Sequence, residues 1–188
     1  MPELSTADSS ARPPQVHFPR SYNAAHDLIQ RNLDAGRADK IAYVDDSRQL
    51  SYGELSARVD VFVQALLAAG IRPEERVLLR MLDTVDWPIA FLGAIKVGVV
   101  PIAVNTMLKP QDYEFMLSDS RARLAFVSTP LLPMFEGLEQ ASERLEQIVE
   151  VKVNPGPGEG APFFAPPANS MTSPMAPANT CCDEPAFW

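Results

Sequence analysis

The side chains able to do chemistry in this 188-residue chain are few and mostly isolated. Asp83 and Asp86, three apart at a predicted helix start, have the spacing of paired carboxylates for acid/base work; capping and the helix dipole account for them more cheaply. Asp45-Asp46, followed by Ser47, is turn chemistry before it is a metal site. His17 and His26 have no cysteine or carboxylate at ligand spacing and read as structural or surface residues. The adjacent Cys181-Cys182 has no basic neighbour to generate a thiolate. Lys96 reads as a surface-facing helix residue, and Lys109 as a lysine at a helix start that offers solvent a point charge. Trp87 and Trp188 read as core anchors.

The elements that must position these residues are marked by proline. Four of the 18 prolines lie in the first 20 residues and eight lie from position 154 onward, so both ends read as linkers around a folded middle. Gly156, Gly158 and Gly160 are interleaved with prolines and open no helix, which excludes a dinucleotide fingerprint. In the middle, Asn23 to Leu33 predicts a helix with Ala24, Leu28 and Leu33 inward. Ile41–Val44 and Gln49–Ser51 predict a hairpin turned at Asp45-Asp46-Ser47. Ser51 and Glu54 form a capping box, and Leu55, Val59, Phe62, Val63, Leu66 and Leu67 draw one apolar stripe behind it. Gly70 and Pro73 close that helix. Then follow a strand over Arg76–Leu82, a helix from about Thr84 to Val97, a strand over Val99–Val104 and a helix from Lys109-Pro110 to about Asp119. A strand over Leu124–Ser128, a mostly helical stretch over Leu131–Leu145 and a strand over Gln147–Val153 complete the series. Alternation of this kind predicts an α/β fold, a largely parallel sheet flanked by helices.

Composition narrows the function classes. A net charge of −8 with 16 scattered Lys and Arg is no nucleic-acid surface. Two adjacent cysteines cannot close a long disulfide loop, which suits a reducing cytoplasm. The first fifteen residues have neither the basic start nor the apolar run of a signal peptide. Trp87 to Val104 is long enough to be checked as a membrane span, but Lys96, Gly98 and Pro101 interrupt it, and a helix followed by a buried strand explains it better. No membrane partner is expected.

Two stretches carry a resemblance. Leu50-Ser51-Tyr52-Gly53-Glu54-Leu55 resembles the first motif of adenylate-forming enzymes, the superfamily of acyl-CoA and aryl-CoA synthetases, and the run from Gly93 to Asn105 resembles its second. More narrowly, Arg72 to Leu79, Asp83 to Pro88, Val104-Asn105-Thr106 and Cys181 to Trp188 resemble benzoate-CoA ligases. The fold so implied is the N-terminal lobe of an adenylate-forming enzyme, an incomplete large domain. It divides into a flexible extension (1–19), an α/β lobe (20–153), a Pro/Gly-rich loop (154–180) and the start of a strand (181–188) that in the family leads into the phosphate-binding loop.

The resemblance implies an intact enzyme that uses ATP, Mg²⁺ and coenzyme A to convert benzoate or a related aromatic carboxylate into an acyl-adenylate and then a thioester. The phosphate loop, aryl pocket and C-terminal lysine of that family all follow Trp188, so no catalytic residue is assigned. This piece alone is expected to be inactive and to bind no cofactor. In some aryl-CoA ligases an arginine two positions after the residue matching Asn105 contacts the coenzyme A phosphate. Met107 stands there in this sequence, and Lys109, two residues on, is the candidate substitute. Association through the exposed lobe surface, as in a homodimer, is a further expectation. Two competing readings remain: a non-catalytic α/β interaction module, and a ligase of the same superfamily for another carboxylic acid.

Overall fold

A computed structural model of the chain describes residues 2–153 and Pro177. The expected loop over 154–180, Pro177 apart, and the expected strand entry with Cys181, Cys182 and Trp188 lie outside the described residues. Within the N-terminal extension, β1 (Thr6–Asp8) and β2 (Gln15–His17) pair as an exposed antiparallel ribbon that linker-like composition did not suggest.

Asn23 caps α1 (Ala24–Asp34) by accepting the His26 N–H at 3.0 Å. The inward face of this helix is Ala25, His26, Asp27 and Ile29, whereas Leu28 is exposed. Ala24 and Leu33 pack against the core as expected, and Leu28 alone departs. Buried Asp27 accounts for it: it accepts from Ser5, Tyr22 and Arg31, so a polar cluster and not Leu28 faces inward. The hairpin forms as expected from β3 (Ile41–Val44) and β4 (Gln49–Ser51), with Asp45 accepting from the backbone of Ser47 and Arg48.

The capping box at Ser51 and Glu54 starts α2 (Tyr52–Ala68), and its stripe buries Leu55, Val59, Phe62, Val63 and Leu66. Leu67 is exposed, one position off that stripe. Each fully buried side chain of this size contributes roughly 1.5–3 kcal/mol. Gly70, at φ 73°, takes the left-handed conformation that turns the chain into β5 (Arg76–Arg80). Next come α3 (Asp86–Lys96), β6 (Val100–Ala103), α4 (Pro110–Ser120) and β7 (Leu124–Ser128). The stretch expected to be helical over Leu131–Leu145 instead makes two short 3₁₀ turns, Thr129–Phe135 and Leu138–Gln140, before β8 (Gln147–Val151). Pro130 and Pro133 remove two donors from any α-helix there, and Gly137 at φ 84° reverses the chain.

The four strands β6-β5-β7-β8, in that order, make one parallel sheet. From β5 the chain steps one way to β6 and then back across β5 to β7. Right-handed crossovers therefore put α3 and α4 on opposite faces. Their side chains agree: α1, α2 and α3 pack on Val77, Leu79, Phe126 and Val149, while Tyr113 and Leu117 of α4 pack on Leu78, Ala125 and Val127. On the first face α2 sits so close to α3 that a Cβ on Gly93 would lie 2.6 Å from Phe62 Cδ1. Pro101, which cannot donate, is tolerated because β6 pairs only with β5 among the described strands.

Candidate functional site

In an open parallel sheet, ligands bind outside the carboxyl ends of the strands where successive connections leave towards opposite faces. Here that place lies between β5 and β7: the chain leaves β5 over the α3 face and leaves β7 over the α4 face. The segments that meet there are Met81–Val85 after β5, Val104–Lys109 after β6 and the 3₁₀ turn after β7. Ser128 Oγ, at the end of β7, accepts the Leu82 N–H at 3.0 Å and ties the first to the third.

Arg80, the last residue of β5, holds the other two. Its guanidinium donates to Leu131 O at 2.6 Å and to Thr106 O at 2.7 Å, and it lies 4.3 Å from the Tyr113 ring centroid and 5.5 Å from that of Phe135. Among the described residues no carboxylate pairs with it and its Nε has no hydrogen-bond partner, and it is 2% exposed. Tyr113 completes the clamp: its hydroxyl donates to Asn105 O at 2.7 Å and accepts the Leu108 N–H at 3.2 Å. Asn105 accepts the Met107 N–H at 2.8 Å and so closes a local turn.

That turn presents Met107, which is 86% exposed, and then Lys109. Lys109 is extended (φ −84°, ψ 159°) as the residue before a proline must be, and precedes the first turn of α4. Its N–H goes to the Asp112 carboxylate at 3.0 Å, while its ammonium forms no ion pair with a described residue. The exposed ammonium is the one cationic side chain on this loop; Met107 offers a thioether with no donor.

The other candidates are placed elsewhere. Asp83 is exposed and caps nothing, since Val85 occupies the cap position without a side-chain bond. Asp86 is buried in the first turn of α3 and takes Arg48 at 2.5 Å, a structural ion pair across to the hairpin. Asp45 joins them by accepting the Val85 N–H at 3.0 Å. Burial alone would push the Asp45 carboxyl up, but the donors of Val85, Ser47 and Arg48 outweigh it and bring it down to about 2. Lys96 does not face the surface as its sequence reading supposed. It is 8% exposed and bridges α3 to Asp60 of α2 at 2.5 Å, because the two helices pack too closely for the side chain to escape. His26 is buried, and desolvation together with Lys96 pushes its pKa down, so it is neutral at pH 7. His17 lies on the exposed ribbon.

Among the described residues no three His, Cys, Asp or Glu come together as metal ligands, and no helix is long and apolar enough to cross a membrane. Nor do the described residues fit the phosphates of ATP. The buried cation at the strand ends already gives its donors to two carbonyls, and Lys109 is a single exposed charge, so no step through the nucleotide is assigned to them. Arg80 and Tyr113 are what sequence reasoning missed. The available signal was a charge in the apolar run Val77-Leu78-Leu79-Arg80-Met81: a strand buried on both faces leaves an arginine no water, so it must find partners where the strand ends.

The AMP-binding enzyme family profile matches residues 29–187. This chain belongs to that family. Among AMP-binding enzymes it is 46% identical, over 98% of its length, to the benzoate–CoA ligase of Thauera aromatica, of which it covers 34%. In fold it matches an anthranilate CoA ligase solved in complex with anthranoyl-AMP, with a TM-score of 0.76 and 30% identity over 89% of this chain and 31% of that one. It also matches a benzoate CoA ligase from Burkholderia xenovorans, with a TM-score of 0.66 and 38% identity over 89% of this chain and 32% of that one. The chain thus spans about a third of the length of these AMP-binding relatives. The two motifs that carried the resemblance turn out to be built for packing. The first starts α2; in the second, Gly93 admits Phe62, Gly98 at φ 75° ends α3 and Asn105 folds the loop that leads to Lys109.

Proposed function

We propose that these residues are the N-terminal, sheet-bearing part of an ATP-dependent aryl-CoA ligase acting on benzoate or a related aromatic acid. The identity of 46% over 98% of the chain to a benzoate–CoA ligase carries this reading. In the proposed reaction a carboxylate oxygen attacks the α-phosphorus of ATP, with Mg²⁺, and pyrophosphate leaves. The thiolate of coenzyme A then attacks the acyl carbonyl and AMP leaves. Residues 20–153 supply the scaffold, and Lys109 offers its charge to a coenzyme A phosphate at the carboxyl end of the sheet. The nucleotide and the aromatic acid bind to chain beyond these residues. A cytoplasmic location fits the cysteine usage, and exposed Ile41, Tyr43 and Val44 on the hairpin support association through this lobe, as in a homodimer.

Acid-dependent exchange of pyrophosphate into ATP tests the proposal on protein expressed from the full reading frame. Benzoate is expected to support exchange well above a long-chain fatty acid, and the 188-residue chain alone is expected to support none. Exchange only with fatty acids would move the substrate class. A folded full-length protein with no exchange for any carboxylate would favour the non-catalytic module.

A further inference from the structure

We propose that Arg80 is a positioning residue: through its two carbonyl contacts and Tyr113 it fixes the Asn105–Lys109 loop, and with it the angle at which Lys109 meets an anionic ligand such as the coenzyme A phosphate. Arg80 and Tyr113 act on consecutive parts of one loop. Arg80 takes Thr106 O; the Tyr113 hydroxyl takes Asn105 O and receives Leu108 N–H; and the guanidinium lies over the same tyrosine ring. The second fork of Arg80, on Leu131 O, anchors this assembly to the 3₁₀ turn after β7, which also carries Phe135 beneath the cation. A buried guanidinium with no carboxylate partner among the described residues is costly to keep. Its two forks bridge loops from different strands in a fixed planar geometry that a lysine's point charge does not impose and an apolar residue cannot supply, and this bridging is what the cost sustains. Beside Arg80, the loop is held among the described residues by the Asn105, Tyr113 and Asp112 bonds and by Leu108 packed against the core around Tyr113, while Met107 is exposed.

The ligand side of this proposal rests on the aryl-CoA ligase reading; the positioning side does not, and the test separates them. Amide hydrogen exchange on the 188-residue chain reads the loop directly. Arg80→Met, which keeps much of the volume, is expected to speed exchange at Met107 and Leu108 about tenfold while leaving Arg123 and Glu146, at the opposite end of the sheet, unchanged. Arg80→Gln, whose single amide cannot serve both carbonyls, provides the same reading should the methionine variant not fold. Unchanged protection at 107–108 in the Arg80 variant that folds, or faster exchange everywhere, overturns the positioning role.

In the full-length protein Arg80→Met is expected to raise KM for coenzyme A about fivefold, with benzoate-dependent pyrophosphate exchange altered less than about twofold. Combined with Lys109→Ala, it is expected to add nothing to that KM, because both act through one contact. Additive effects overturn the link to Lys109. A full-length protein that activates no carboxylate refutes the ligase reading, and the exchange measurement on the loop still decides the role of Arg80.

Discussion

The two ends of the parallel sheet each hold an arginine, and they hold it in opposite ways. At the amino end Arg123, just before β7, gathers carboxylates. It pairs with Glu75 at 2.5 Å and with Glu146 at 2.7 Å, and donates to Gly70 O at 2.8 Å, so the starts of β5, β7 and β8 are drawn together by charge. At the carboxyl end Arg80 meets, among the described residues, carbonyls and aromatic faces. The amino end therefore offsets its arginine with carboxylates and touches water, whereas the carboxyl end buries a positive charge beside loops that present Met107 and Lys109. One end is arranged for stability, and the other holds loops in place for a ligand.

Truncation separates the two most strongly. Arg80→Ala removes a buried side chain and leaves Thr106 O and Leu131 O without their donor, at an expected cost of about 2–4 kcal/mol in urea unfolding of the chain. Arg123→Ala leaves two glutamates that water can reach, at 29% and 52% side-chain exposure, and should cost far less. If the amino-end variant proved the more damaging, the contrast drawn here would fail.

A second measurement sharpens the carboxyl end, which is not free of titrating groups. Asp45 accepts the Val85 N–H just after β5, and its pKa of about 2 lies below the ordinary 3.8. With the folded value depressed, the unfolded chain binds the proton first as pH falls. The contribution is therefore full above pH 4 and is lost on the way down through about 2. A shift of this size corresponds to about 2 kcal/mol. Asp45→Asn is expected to lose most of that at neutral pH and to flatten the stability profile between pH 4 and 2, read by circular dichroism at fixed urea. An unaltered acid limb would show that other carboxylates, Glu75 among them, carry the acid sensitivity.

How much of this was legible in the sequence follows the same division. The capping box of α2, the span Leu124–Ser128 of β7 and the proline that opens α4 were readable because local chemistry decides them. The stretch after β7 was legible as helical in part, but not as two short 3₁₀ turns, because the effect of its two prolines and Gly137 is on backbone donors and chain direction. Lys96 looked like a surface group and Asp86 like a helix-start carboxylate because their partners, Asp60 and Arg48, lie 36 and 38 residues away. The clamp on the Lys109 loop was hidden for a related reason. Its acceptors are backbone carbonyls, which every residue has, so no residue type in the sequence points to them.

The smallest effect expected is also the one that tests the physical basis of the contrast. Arg123 acts through ion pairs with partly exposed carboxylates. Replacing it with methionine should cost about 1 kcal/mol or less in dilute buffer, and this cost should shrink in 1 M salt, where the screening length falls to about 3 Å. Arg80 acts through short bonds from a buried side chain to backbone carbonyls, and salt has little access to it. The cost of Arg80→Met should therefore stay the same across that range, even though both variants remove one guanidinium from the same sheet. A salt-dependent loss at Arg80 would mean that its charge is felt by distant carboxylates, and the carboxyl end would then be held together as the amino end is, by charge.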